Sequence, residues 1–289
     1  SKINLFINYI SFIFFSFFGL IIFNFKKRFN KYDIFFLYAP SPLISLLSVF
    51  FLKKIFRMKI YIWVQDLWPK VVENKINNSF LIKIIHYLSV YIYKNSDIIL
   101  VQNISFKKYL INQLNISQNK IHLLSNWSPI EDKFDYFYKD REYLKLIFTG
   151  NIGEPQNLKD LIIISKELER HKVIIHIYGE GRYKTKLAKQ IEQNNISNIV
   201  IFSPLQIDKL RKKMQDYDAA LITLKSEYSH TVPSKFQFYL SSGLPIIGSI
   251  DGEVNSIINK NSLGICSNAN DPSNLKNIII QFSELSYEQ

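Results

Sequence analysis

The chain has 289 residues and 34.1 kDa, enough for two domains at ~100–200 residues each. With 47% apolar and 21% charged residues it excludes disordered and collagen-like classes. A single cysteine, Cys266, excludes an internal disulfide and a cysteine-based zinc site, and the five histidines fall at no metal-ligand spacing. The net charge of +12 is one-sided: residues 1–139 carry 18 Lys and Arg against 7 Asp and Glu, whereas residues 140–289 carry 18 against 17. A basic first half asks for an anionic partner. No nucleic-acid-binding motif accompanies the charge, and an apolar segment does, so an anionic membrane surface is expected and nucleic acid is not.

That segment comes first in the chain. Ile3 to Phe25 reads INLFINYISFIFFSFFGLIIFNF and runs into Lys26-Lys27-Arg28. It is long enough to span a bilayer, but its Asn and Ser residues also suit a helix buried on a domain or lying in the membrane interface. Next come apolar runs of strand length, separated by helix-length stretches: Asp33–Tyr38, Lys59–Val64, Asp97–Gln102 and Ile121–Leu124. A polar stretch, 126–143, marks the expected boundary, with domains at 1–138 and 139–289. The second half repeats the alternation through Leu144–Thr149, Val173–Tyr178, Ile199–Phe202, Ala219–Thr223, Pro245–Ser249 and Gly264–Ser267. Helical patterns fill the intervals, among them Asn157–Arg170, Tyr183–Asn194 and Lys235–Ser241. Continuous apolar runs alternating with helices predict an α/β fold of two doubly wound lobes, each a parallel sheet with helices on both faces. Such lobes bind ligands beyond the carboxyl ends of their strands.

Three strand-to-helix turns in the second half suit a diphosphate. Gly150-Asn151-Ile152-Gly153 follows one strand and Gly179-Glu180-Gly181 follows the next. Glycine admits a ligand close to the backbone, and a helix N-terminus offers free N–H groups, although glycine also ends strands for structural reasons. The third turn is Val232-Pro233-Ser234-Lys235, in which Ser234 can cap the helix. Lys235 would then sit in the first turn, opposing the helix dipole unless it points to solvent or an anion joins it. In the first half, Asp66 ends a strand. Either it caps the helix after Pro69, or it faces the ligand cleft.

GNIGEPQNL, the YGEG turn, and VPSKFQFYLSSGLPIIG followed by GEVNSIINKNSLGI resemble the donor-binding lobe of the family-4 retaining glycosyltransferases. The likeness is to the capsule, O-antigen and colanic-acid branch that includes fucosamine transferases. DIFFLYAPSP and YIWVQDLWPKVVE resemble the acceptor lobe of that branch. The resemblance implies the GT-B fold and transfer, with retention, from a UDP-linked nucleotide sugar to a polyprenyl-linked or polysaccharide acceptor. It implies no metal and no cofactor beyond the donor, in a peripheral protein at the cytoplasmic face of the inner membrane. It places Gly150, Asn151, Gly153, Gln156, Gly179, Gly181, Pro233, Ser234, Lys235 and Glu253 around the donor, with Asp66 and His230 in catalytic positions. His230 would touch the donor phosphate or sugar, unless it is a solvated loop histidine.

The chain departs from the family pattern in three ways. Asn151 and Gln156 stand where the wider family has Arg and Lys. The family's pair of glutamates falls on His230 and Phe238, so the acid expected to hold the donor ribose is missing. Both ends look cut, leaving the first lobe incomplete. A nucleotide-sugar 2-epimerase of the same fold and a non-catalytic, membrane-attached relative remain as alternatives.

Overall fold

The computed structural model describes residues 2–27, 34–39, 41–73, 76–128 and 142–285. These residues fall into two compact units, Ser1–Ser125 and Asn126–Gln289. The expected division at 138/139 lies outside the described residues.

The first unit runs α1 (Lys2–Lys27), β1 (Ile34–Ala39), α2 (Leu47–Phe56), β2 (Lys59–Val64), α3 (Lys70–Glu73), α4 (Ser79–Asn95), β3 (Ile98–Val101), α5 (Ile104–Asn112) and β4 (Ile121–Leu123). Its strands form a parallel sheet in the order β1-β2-β3-β4. Side-chain caps start the helices where the sequence supplies Asn: Asn78 accepts from the Leu81 N–H at 3.1 Å, and Asn103 from the Phe106 N–H at 2.8 Å. Ile60, Ile62, Val64, Ile99 and Val101 meet Phe50, Ile92, Phe106 and Leu110 in one core.

The apolar opening segment is α1, which corrects one of its expected settings. None of its Ile7–Phe25 stretch is buried, so it is not a core helix, and by length and composition it could cross a membrane. Ser16 Oγ lies 2.8 Å from Ser48 Oγ, and Leu20 packs on the core, while Phe15 and Phe25 stand exposed at 71% and 80%.

The second unit alternates without interruption: β5 (Leu144–Thr149), α6 (Lys159–Arg170), β6 (Val173–Tyr178), α7 (Lys184–Gln193), β7 (Ile199–Phe202), α8 (Ile207–Met214), β8 (Ala219–Thr223), α9 (Ser234–Ser241), β9 (Ile246–Ser249), α10 (Glu253–Lys260), β10 (Gly264–Ser267) and α11 (Pro272–Glu284). Its six strands are parallel in the order β10-β9-β8-β5-β6-β7. The chain winds outward from β5 to β7, then returns to the other side of β5 and winds outward again. This is the doubly wound order of dinucleotide-binding folds, and its winding reverses between β5 and β8. Two cores follow. One joins the sheet to α6, α7 and α11 through Leu161, Ile164, Leu187 and Leu275; the other joins it to α8, α9 and α10 through Met214, Phe236, Tyr239 and Val254. The spacing of Leu161, Ile164, Ser165 and Leu168 gives α6 its buried stripe.

Candidate functional site

The reversal point of the second unit is where a ligand crevice is expected. The ladder between β5 and β8 covers Leu146↔Ala219 and Ile147↔Ala220. Beyond it, α9 reaches in. The Thr149 N–H donates to the Tyr239 hydroxyl at 2.8 Å, which holds α9 to the carboxyl end of β5. Lys235 lies one turn before Tyr239 and so shares its helix face.

The Lys235 ammonium sits 3.4 Å from the centre of the Phe148 ring. Its Cε lies 3.9 Å from where a Cβ on Gly150 would stand. The residue as a whole is half-buried, yet its Nζ is enclosed and has no hydrogen-bond partner among the described residues. Burial pulls its pKa well below the ordinary lysine value. The aromatic face returns about 0.5–2 kcal/mol, whereas taking an ammonium out of water costs several kcal/mol, so burial prevails. Lys235 stands in the first turn of α9, as expected from sequence, but the solvent-pointing alternative is not what forms: its Nζ is enclosed and faces a glycine turn. An anion placed there would relieve it. The cap also differs from expectation. Pro233, with ψ 134°, is the N-cap residue, and the exposed Ser234 is the first residue of the helix.

The two glycine turns are stacked on each other. The Gly150 N–H donates to the Tyr178 carbonyl at 2.9 Å, and the Ile152 N–H to the Glu180 carbonyl at 2.7 Å. A Cβ on Gly179 would lie 1.9 Å from the Gly150 oxygen, and one on Gly181, whose φ is +156°, would lie 2.2 Å from the Ile152 oxygen. Glycine at 179 and 181 is thus required by turn-on-turn packing, which holds the Gly150 turn in place. The Gly153 N–H donates to the Gln156 side-chain oxygen at 3.2 Å, so that amide serves the turn itself. Asn151 is exposed, and its side-chain oxygen would lie 2.6 Å from a Cβ on Gly181.

His230 lies in the loop before α9 and is buried, which corrects the solvated alternative. Its neighbour Ser229 packs its carbonyl against Gly252, where φ is +81° and a Cβ would lie 2.2 Å away. This joins the His230 loop to the start of α10, where half-buried Glu253 is the first helical residue. Phe238, at the position of the missing acid, is 8% exposed and belongs to the core under α9.

Asp66 belongs to the other unit. It is half-buried in the turn after β2, and its carbonyl accepts from the Trp68 N–H at 3.0 Å. That turn is pinned by Trp68 Nε1 donating to Ser41 Oγ at 2.9 Å and by the Tyr93 hydroxyl donating to the Trp68 carbonyl at 3.1 Å. Among the described residues, no group of three or more His, Cys, Asp or Glu side chains could hold a metal.

Sequence reading missed Phe148, Thr149 and Tyr239. Tyr239 was within reach, because it stands four residues after Lys235 on a predicted helix. Phe148 was not, because its contact with Lys235 is tertiary.

The family described as glycosyl transferases group 1 matches residues 130–289. Over 99 residues the chain is 30% identical to WcaI of Escherichia coli (strain K12), named for colanic acid biosynthesis glycosyl transfer; the match covers 34% of this chain and 24% of WcaI. Among solved structures, S. aureus TarM in complex with UDP superposes with a TM-score of 0.64 at 15% identity, over 91% of this chain and 51% of that one. The lipopolysaccharide outer core galactosyltransferase WaaB gives 0.64 at 17% identity, over 97% and 72%. At these identities the structures show the shared GT-B fold. The chain spans about a quarter of WcaI in that match and about half of TarM.

Proposed function

Because the chain belongs to the glycosyl transferases group 1 family, we propose that it takes part in transferring a sugar from a nucleotide sugar to a polyprenyl-linked or polysaccharide acceptor, with retention, in the making of a cell-surface polysaccharide. The donor is UDP-linked, a choice supported by the UDP held in the TarM and GtfA structures. The observation that carries this reading is the enclosed Lys235 ammonium, without a hydrogen-bond partner among the described residues, beside the Gly150 turn at the winding reversal of the sheet. A departing UDP gathers negative charge, and a cation already stripped of water stabilises that charge without reorganising solvent. Retention by attack on the leaving-group face needs two well-oriented sugars and no protein nucleophile. In this reading His230 and Glu253 border the donor, while Asp66 contacts the acceptor or the transferred sugar. The basic first half and the exposed α1 hold the protein at the cytoplasmic face of the inner membrane.

No divalent ion takes part, because the proposed diphosphate contacts are the Lys235 ammonium and backbone N–H groups. The test is calorimetric titration with UDP, with and without EDTA. Binding that survives chelation is expected. No UDP binding would overturn the donor reading, and a loss of more than about tenfold (~1.4 kcal/mol) on chelation would overturn metal independence.

Buried Phe238 in place of a ribose-holding acid favours a second reading, a non-catalytic UDP-binding relative. Incubation with UDP-sugars and a lipid-linked acceptor separates the two: release of UDP supports transfer, and UDP binding without release supports the second reading.

A further inference from the structure

α4 (Ser79–Asn95) is apolar on two opposite sides, and only one of them meets the core. Its inward face is built from Ile85, Ser89, Ile92 and Tyr93, all buried. The Tyr93 hydroxyl donates to the Trp68 carbonyl at 3.1 Å, which fixes the rotation of the helix about its own axis. The other side therefore stays outward. It carries Phe80, Ile84 and Tyr87, at the i, i+4, i+7 spacing that lines up one helix face, and Phe80 and Tyr87 are 71% and 70% exposed. A helix apolar all round is ordinarily buried all round, so this outward stripe asks for an apolar surface to lie against.

Charge decides which surface. The 17 residues of α4 include no Asp or Glu. Its exposed ionisable side chains are Lys83, His86 and Lys94. At ~100° of rotation per residue, both lysines flank the stripe on the same side. No ion pair joins either lysine to an acid among the described residues. The neighbouring α2 packs against both α1 and α4, has no acid either, and exposes Phe51 and Ile55 one turn apart. A second copy of the chain would bring these same lysines face to face, and like charges repel. An anionic bilayer accepts both kinds of group. Aromatic and aliphatic side chains enter the boundary between headgroups and acyl chains, while lysine stems lie along it and leave their ammonium groups among the headgroups.

We propose that α4 lies along an anionic lipid surface, with Phe80, Ile84 and Tyr87 at the acyl boundary and Lys83 and Lys94 among the headgroup phosphates. The proposal rests on the membrane reading above and deepens it. α1 alone would only tether the first unit, whereas α1 and α4 together fix which face it turns to the lipid. Because Tyr93 ties α4 to the turn that carries Asp66 and Trp68, a docked α4 holds that turn close to the bilayer, where a lipid-linked acceptor would arrive.

The experiment puts an indole on the stripe with Tyr87→Trp and reads fluorescence on vesicles of phosphatidylglycerol and phosphatidylcholine with brominated acyl chains. Wild-type protein, whose own tryptophans lie outside α4, is the baseline, and its sedimentation with the same vesicles is measured alongside. Tyr87→Trp should be quenched at least about twofold more than the baseline, as an indole at the acyl boundary requires. Adding Phe80→Asp and Lys83→Glu, at two exposed positions, should keep the melting temperature and remove most of that extra quenching although α1 is intact. Wild-type sedimentation without extra quenching of Tyr87→Trp, or quenching that survives Phe80→Asp/Lys83→Glu, would overturn the proposal and leave the membrane reading standing. Absence of sedimentation would overturn both. A concentration-dependent dimer that Phe80→Asp/Lys83→Glu dissolves, with no quenching by lipid, would overturn the proposal in favour of a second copy on this face.

Discussion

Replacing Lys235 with Met separates the ligand-binding role of its ammonium from its effect on the fold. Methionine keeps an unbranched apolar stem over Phe148 and removes only the charge. If the ammonium meets the donor diphosphate, its loss removes a charge-assisted hydrogen bond of about 1.5–3 kcal/mol, or about 10- to 150-fold in UDP affinity. Stability should move the other way. Burial lowers the folded-state pKa of Lys235 well below 10.5, so between those two values the unfolded chain binds more protons than the folded one. The lysine therefore costs stability fully below its folded pKa, and the cost fades as pH rises toward 10.5. At pH ~7 Lys235→Met should raise the melting temperature, by ~2–4 °C for each kcal/mol recovered, and the gain should shrink in alkaline buffer. The assays are UDP titration calorimetry and thermal melting across pH. A variant that binds UDP like the wild type, or that melts lower at neutral pH, would refute the enclosed-cation reasoning.

Gly179→Ala would drive a methyl into the Gly150 carbonyl, 1.9 Å away, so a loss of about 3 kcal/mol or more is expected in denaturant unfolding. His176, whose Nδ1 lies 2.8 Å from the Tyr217 hydroxyl, is held below 6.5 by burial and then by Lys145 and Lys213. Its contribution to stability should be lost as pH falls from 6.5 through its folded pKa, and His176→Gln should flatten the melting curve over that acid range. Residues 1–139, with 18 basic against 7 acidic side chains, should sediment the protein with anionic vesicles and not with neutral ones. Each basic residue near the surface contributes ~1 kcal/mol, weakened by salt; equal binding to both vesicle types would remove the electrostatic part.

The strands were legible because each is a continuous apolar run bounded by polar or glycine residues: Leu144–Thr149, Val173–Tyr178 and Ala219–Thr223 are strands at the expected bounds. Their order was not legible. Nothing local in Ala219–Thr223 says that it pairs with β5 rather than β7, because pairing is decided by how helices of both windings cover the sheet. At the site, Lys235 was legible as a cation at a helix start. Its enclosure was not, since that depends on Phe148 from another strand and on Tyr239 drawing α9 down onto Thr149. The glycines were read as making room for a ligand; at 179 and 181 the space is taken by the neighbouring turn, a clearance that exists only after folding.

Phe238 offers the sharpest test of what the missing acid means. If the site simply lacks a carboxylate at an otherwise open position, Phe238→Glu should restore a ribose contact and tighten UDP binding. The packing argues for the opposite. Phe238 is 8% exposed, its ring centre is 6.2 Å from that of Tyr239, and it shares a core with Phe236, Leu244 and Ile250. Glutamate there would lose the aromatic burial, for which truncation costs about 3–5 kcal/mol, and would have to enter the core protonated or pull α9 away from the sheet. Because Tyr239 follows on the same short helix and holds Thr149, moving α9 would also displace Lys235 from Phe148. Phe238→Glu should therefore melt well below the wild type and bind UDP more weakly, whereas Phe238→Leu, which keeps an apolar side chain, should retain most of both. Tighter UDP binding by Phe238→Glu at an unchanged melting temperature would show that the position faces the donor and that the core assignment of its side chain is wrong.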